Sequence, residues 1–314
     1  MIEHPYHQWI HRLAVVSLFV AVLLTIGLGG AVTSTEVGMA YPTWPDINGW
    51  SLFNFFYGEI ASEFGTGASI EHTHRQAGTL IGLLAILLMV VCLRSKQVPR
   101  RWKKLSVVVF LLILVQGLLG AVRVLGNDQA MAIIHAVGAQ LCVVALMAMV
   151  KHSSRAWAED QSTPAMAGAE RLQLWARVGI VVMFINLIAA ASLRHKAGAF
   201  PGHLTMALLA SAVILWVIRL CLTTLREHPR LNRGAKRLAI LLGIQLGLGL
   251  GTWACLFGPL LDYFSAEQTR FLAQTGFATA HLVVGVMVLA QLTAIDMESR
   301  HRLSSAEPAP GPSR

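Results

Sequence analysis

Twelve histidines stand in this 314-residue chain, and four of them share a setting suited to holding a metal. His74, His135, His203 and His281 each fall near the start of a long apolar run, the second, fourth, sixth and eighth along the chain. An ionisable side chain within a membrane-crossing run is costly and marks a functional position by default. Any one of them is as readily a core histidine hydrogen-bonded to a neighbouring helix. Four at one depth, two in each half of the chain, are poorly explained that way. Two imidazoles facing each other across a helix pair suit axial ligation of a heme iron, whereas zinc needs three or four ligands around one ion. The pattern predicts two heme sites, one per half. The other eight histidines are expected to be bystanders. His4, His7, His11, His152, His228 and His301 lie in cation-rich segments where a solvated ring is the rule, and His195 sits beside Lys196 in a short connection. His72 points about 200° away from His74 around the helix.

Glu71 stands three residues before His74, hence on the same helical face, and four before Arg75 in the favourable order for an ion pair. The plain reading is a helix-end pair, with an acid where the helix dipole favours one. The sharper reading is a carboxylate beside an axial ligand. The matching stretch of the second half, Phe200-Pro201-Gly202-His203, has no acid. The two sites are therefore expected to be unequal, with the first equipped for reaction. Arg75, Arg123 and Arg194 abut the same ends of their runs as the histidines. Guanidinium pairs bidentately with carboxylates such as heme propionates; snorkelling to the membrane interface is the alternative.

The elements that must position these residues are transmembrane helices. The chain is 55% hydrophobic and 13% charged, with a mean hydropathy of +0.60, against about 25% charged in a soluble protein. Eight runs, at about 13–33, 75–93, 105–123, 131–150, 174–193, 203–222, 238–256 and 276–295, are long enough to cross a bilayer. Twenty of the 25 Lys and Arg residues lie in the terminal segments and the connections after runs two, four and six. By the positive-inside rule both termini are cytoplasmic. The net charge of +9 is thus a topology signal, and nucleic acid is not an expected partner. The first run is too long for a cleaved signal, and no CxxC or CxxCH occurs among the four cysteines. Segment 34–70 holds Tyr41, Trp44, Trp50, Phe53, Phe55, Phe56, Tyr57 and Phe64, one third of the chain's aromatics. It reads as an interfacial aromatic belt or as a lid on the first heme site.

The third run carries Gln116-Gly117-Leu118-Leu119-Gly120 and the seventh Gln245-Leu246-Gly247-Leu248-Gly249. Alone such a motif signals close helix packing; recurring at matching places, it signals duplication. The expected fold is an all-α membrane protein of eight helices in two four-helix bundles, related by a pseudo-two-fold axis along the membrane normal. Residues 1–150 form the N-terminal half, 151–173 a cytoplasmic linker, 174–300 the C-terminal half, and 301–314 a disordered tail.

Eight spans in two halves, Glu-x-x-His-Arg at the start of span two, and single histidines in spans four, six and eight resemble the heme A synthase family. Gly29-Gly30-Ala31-Val32-Thr33 and Gly38-Met39-Ala40-Tyr41-Pro42-Thr43-Trp44-Pro45 are similar to that family's first outer loop. The resemblance implies an oxidoreductase of the plasma membrane that turns heme O into heme A, hydroxylating the methyl at ring position 8 in successive steps until loss of water leaves a formyl group. It implies that His74 and His135 serve the substrate heme, that His203 and His281 hold a heme b cofactor, and that Glu71 is the essential glutamate. A heme O-producing farnesyltransferase, an electron donor and a terminal oxidase would be partners, besides membrane lipid and, in a homo-oligomer, further copies of the chain. One departure is that the first outer loop lacks the cysteine pair many bacterial members carry. Cys92, Cys142, Cys221 and Cys255 are scattered and read as packing residues. The competing reading is a bis-histidine di-heme cytochrome b. A carrier of electrons across the bilayer should place hemes at both faces, whereas all four histidines here sit towards one. A heme-free transporter should show broken helices at the midplane, and the span interiors lack proline.

Overall fold

The computed structural model describes residues 5–35, 37–158, 168–260, 263 and 266–304. Among them are eight helices long and apolar enough to cross a membrane: His7–Ser34, Gly67–Arg94, Arg100–Gly126, Gln129–Ser153, Ala169–Arg194, Phe200–Thr223, Pro229–Leu256 and Glu267–Arg300. They are called spans one to eight below. The chain is an all-α, multi-pass membrane protein. Each span encloses one apolar run and extends beyond it. Hydropathy sees only the part that crosses hydrocarbon, whereas the helix keeps satisfying its backbone groups further out. Span eight shows this most. Its helix begins at Glu267, so His281 lies four turns in and not in the first turns as the apolar run suggested.

Local chemistry fixes the ends. Asn127 adopts a left-handed conformation that stops span three, and the next residue, Asp128, caps span four by accepting from the Met131 amide at 2.8 Å. Pro201 and Pro229 sit in the first turns of spans six and seven, where a missing N–H costs nothing. His228 is buried and caps span seven by accepting from the Leu231 amide, so it is not the solvated ring expected. The expected linker 151–173 is largely helical where described: span four runs to Ser153, a short helix covers Arg155–Ala158, and span five starts at Ala169. Helix likewise continues to Ser304. Linker residues 159–167 and tail residues 305–314 lie outside the described residues.

Spans one to four pack in a ring, each against the next and the fourth against the first, and spans five to eight do the same. The even-numbered helices therefore sit diagonally across each ring. One core gathers Leu88, Cys92, Leu146 and Met149, a second Ile214, Val217, Leu238 and Leu292. Between them Val22, Val143 and Val286 join the rings, and span eight packs against spans one and four as well as five and seven. At the face opposite the 35–65 connection, Asp296 and Glu298 are buried in span eight. Glu298 pairs with Lys151 at 2.7 Å and Arg230 at 3.8 Å, and Asp296 with Arg300 at 2.5 Å and Arg177 at 3.4 Å. Buried carboxylates require such partners, and here Lys151, Arg177 and Arg230 come from spans four, five and seven and Arg300 from span eight itself.

Span one is not uniform. Val20–Ile26 forms a π-helical stretch between two α-helical ones. The Thr25 hydroxyl donates to the Val20 carbonyl five residues back and faces the Ala77 carbonyl of span two at 3.4 Å. Gly27, Gly29 and Gly30 lie in the first turn of the α-helix that follows.

Candidate functional site

The four histidines line one continuous cavity of about 1420 Å³. A single small-molecule pocket takes about 300–1,000 Å³, so the space exceeds one such site. Two sites were expected, one per half, and both histidine pairs border this space.

Glycines on neighbouring helices make room for three of the rings. A Cβ added at Gly29 would stand 2.9 Å from His74 Cε1, at Gly120 3.3 Å from His135 Cε1, and at Gly249 3.0 Å from His281 Cε1. The repeated Gln-x-x-x-Gly motif is therefore a seat for an imidazole. The glutamines complete it. The Gln245 carbonyl is 3.1 Å from His281 Nδ1, and the Gln116 and Gln245 side chains fold over Gly138 and Gly285, one turn beyond each histidine. The Nδ1 atoms of His74, His135 and His203 are buried without a hydrogen bond, with backbone of Thr25, Gln116 and Asn186 facing them. Nδ1 is thus turned into the protein, which directs Nε2 to the cavity. Metal-binding histidines place the second nitrogen on a protein acceptor, as His281 does on the Gln245 carbonyl.

The rings of His203 and His281 face each other with centroids 6.3 Å apart and planes at 83°. Two ring nitrogens each about 2 Å from one metal are about 4 Å apart, and about one ring radius on each side brings the centroids to about 6 Å. The observed spacing matches. The Gln245 amide nitrogen, 3.3 Å from His281 Nε2, is the group a metal there would displace. No cluster of three or more His, Cys, Asp or Glu side chains gathers among the described residues. The donor set fits a heme with two axial imidazoles better than a bare ion.

Glu71 and Arg75 also line the cavity, as a buried pair and not as an exposed helix-end one. Arg75 donates to Glu71 Oε1 through Nε at 3.2 Å and Nη2 at 2.6 Å. Its other three donors go to the carbonyls of Tyr41 at 2.6 Å, Thr43 at 2.7 Å and Asp46 at 3.0 Å. A guanidinium has five N–H groups, so none is left for a propionate. The second Glu71 oxygen accepts from the Ala40 amide at 2.9 Å. In the same segment the Asp46 carboxyl takes hydrogen bonds from the Gly49 amide and the Thr43 hydroxyl, which hold it below the usual carboxylate range.

Arg123 and Arg194 are placed differently. Arg123 lines the cavity against Gly38 and makes no hydrogen bond among the described residues. Arg194 reaches from span five to the Gly30 carbonyl and Ser34 hydroxyl of span one and the Ala278 carbonyl of span eight, with its Nε buried and unpaired. His195 lies near both. It is half-buried on the cavity wall, not exposed as expected, and burial together with Arg123 and Arg194 pushes its pKa down to about 4. It is neutral at pH 7. His72 is fully buried, 2.6 Å from the Asn54 carbonyl, and secures the long connection. Neither role had a signal in spacing, because both depend on where a connection folds. Trp44, Pro45 and Leu52 of the long connection line the cavity, while Phe53, Phe55 and Phe56 are exposed.

A model of a family described as cytochrome oxidase assembly protein (COX15-CtaA) matches residues 12–201, more than half of the chain. A protein named heme A synthase from Chelativorans sp. (strain BNC1) is 32% identical over 112 residues, 34% of this chain and 30% of the relative. Another named heme A synthase, from Azorhizobium caulinodans, is 31% identical over 144 residues, 43% of this chain and 39% of the relative. The aligned stretches thus span well under half the length of either relative.

Proposed function

This chain belongs to the cytochrome oxidase assembly protein family, and from that premise we propose that it acts in heme A biosynthesis, oxidising the ring methyl of heme O to the formyl group of heme A. The observation that carries the proposal is the pair of imidazoles, His203 and His281, set 6.3 Å apart across a cavity that also holds His74 and His135. In this reading the first ring of helices holds heme O through His74 and His135, and the second holds a heme b through His203 and His281. The repeated glutamine–glycine seats support treating residues 1–150 and 174–300 as two related halves. When bound, heme b would supply one-electron chemistry.

The chain's own residues do the rest. The buried glycine seats orient the ligand rings. Glu71 places a carboxylate paired with Arg75 in a low-dielectric wall beside His74, where it can stabilise positive charge that develops at the reacting methyl carbon. With three hydrogen bonds on about four lone-pair sites, it is better suited to hold charge than to shuttle protons. Arg123 has free donors facing the cavity and Arg194 an unpaired one, which suits propionate carboxylates. Arg75 does not share that role, its donors being spent. The cation-rich connections lie at the face opposite the histidines, which supports a plasma-membrane protein with cytoplasmic termini and a site near the outer leaflet. A farnesyltransferase supplying heme O, an electron donor and a terminal oxidase receiving heme A are the partners this reading requires.

The test is pigment analysis. Purified protein given heme O and a reductant in air should yield heme A on extraction, with heme b retained. Heme b without any conversion of heme O would leave the di-heme cytochrome as the better reading. The glycine seats give a second expectation. Gly249→Leu should strip heme b, whereas Gly120→Leu should keep heme b and stop heme O oxidation, read by the bound-heme spectrum and the extracted pigments.

A further inference from the structure

The Glu71–Arg75 pair occurs only where a long connection needs holding. His203 stands 129 residues after His74, and the same step carries Gln116 to Gln245 and Gly120 to Gly249. Applied to Glu71 and Arg75 it gives Phe200 and Leu204. There the preceding connection is only His195–Ala199, between the end of span five and the start of span six. In the first half it runs from Thr35 to the start of span two. Its Tyr41, Ile47 and Ile60 pack with Ala68 of span two, residues 52–54 are held by His72 and Gln76 of that span, and the 40–46 stretch meets it through Arg75 and Glu71. Three carbonyls from a six-residue stretch converge on one guanidinium, whose face also covers the Tyr41 ring at 5.5 Å. The Ala40 amide adds a fourth link through Glu71.

We infer that Arg75 is a positioning residue, whose clamp on Tyr41, Thr43 and Asp46 seats the 40–47 segment as a wall of the cavity with Trp44 and Pro45 facing in. Lysine cannot replace it, having three donors on a point charge and no planar fork. Removing one member of a buried pair leaves the other charge stranded, so Glu71 and Arg75 act as a unit. The consequence for the reaction rests on the proposed function. Oxidation in successive steps requires that a hydroxylated intermediate stay in place between them, and a seated wall keeps it there while excluding water.

Labelling reads the clamp without any assay of activity. All four native cysteines are buried, and so is Ile47. In the full-length protein, Ile47→Cys should resist a maleimide, and adding Arg75→Lys should speed labelling by about tenfold or more as the segment opens. Heme b content in the same samples reports that the rest of the fold is intact. With heme O supplied, Arg75→Lys and Trp44→Ala should both raise the ratio of released hydroxylated intermediate to heme A by about tenfold. Labelling unchanged by Arg75→Lys overturns the clamp, and faster labelling with an unchanged product ratio overturns its role in the reaction. Failure of the unaltered protein to convert heme O would refute the proposed function and leave the labelling result standing.

Discussion

Alanine at His203 or His281 is expected to strip heme b from the purified protein, while alanine at His74 or His135 leaves most of it bound. The rings of His203 and His281 stand 6.3 Å apart, so either substitution would remove one of the two nitrogens placed to hold the heme. Losing only an outer partner of a metal-binding histidine costs about 10–100-fold in affinity, and losing the ligand costs more. The other pair belongs to the opposite ring of helices, seated against Gly29 and Gly120. Its loss leaves the contacts around His203 and His281 as they are. Reduced-minus-oxidised spectra normalised to protein decide the matter. Equal loss of heme b in all four variants would sink the division of labour between the halves.

Glu71→Gln should slow heme A formation by about 10²–10³-fold, the usual cost of losing one group that stabilises charge in the transition state, with heme O or a hydroxylated intermediate accumulating. Heme b should stay near normal, since Glu71 lies in the ring of helices without His203 and His281. An exposed pair would contribute only about 0.2–0.5 kcal/mol to the helix, but this one is buried, with side-chain exposures of 9% and 4%. Breaking such a pair typically costs about 3–5 kcal/mol. Glutamine is therefore the informative replacement. Its oxygen can still accept from Arg75, but its NH2 then meets the Ala40 amide donor against donor, so the Ile47→Cys labelling rate measured in the same variant separates loss of charge from loss of the clamp. If Glu71→Gln makes heme A at the unaltered rate, the carboxylate serves the clamp alone.

Much of this site was legible in residue types and spacing. Histidines in even-numbered apolar runs, near one face, had to meet inside their bundles, because even-numbered helices of a four-membered ring are diagonal neighbours. The family match over residues 12–201 agrees with the resemblance carried by Glu71, His74 and the first connection. What spacing could not give was the partner of each polar group. Glu71 and Arg75 are four residues apart in any helix, yet three of Arg75's five hydrogen bonds go to carbonyls some thirty residues away. Backbone carbonyls have no signature in side-chain chemistry. For the same reason Arg75, Arg123 and Arg194 looked equivalent although only the latter two retain free donors. The shared cavity was hidden too, because periodicity describes one helix at a time while the wall between two bundles depends on how span eight docks on spans one and four.

The π-helical stretch of span one sets the phase of everything that follows it. Each residue in an α-helix advances by about 100°, and a five-residue hydrogen-bond step absorbs one residue more per turn than the four-residue step. Below the stretch, Ile10 and Ala14 face the core of the first ring. Above it, Gly29 lies against His74 of the first ring and Gly30 against Leu282 of the second. Rewinding Val20–Ile26 as plain α-helix at the same length would swing both glycines about 100° out of line, whereas losing one residue in the same change would leave them in phase. The extra residue works as a vernier, trimming one helix so that its two ends keep time with different bundles.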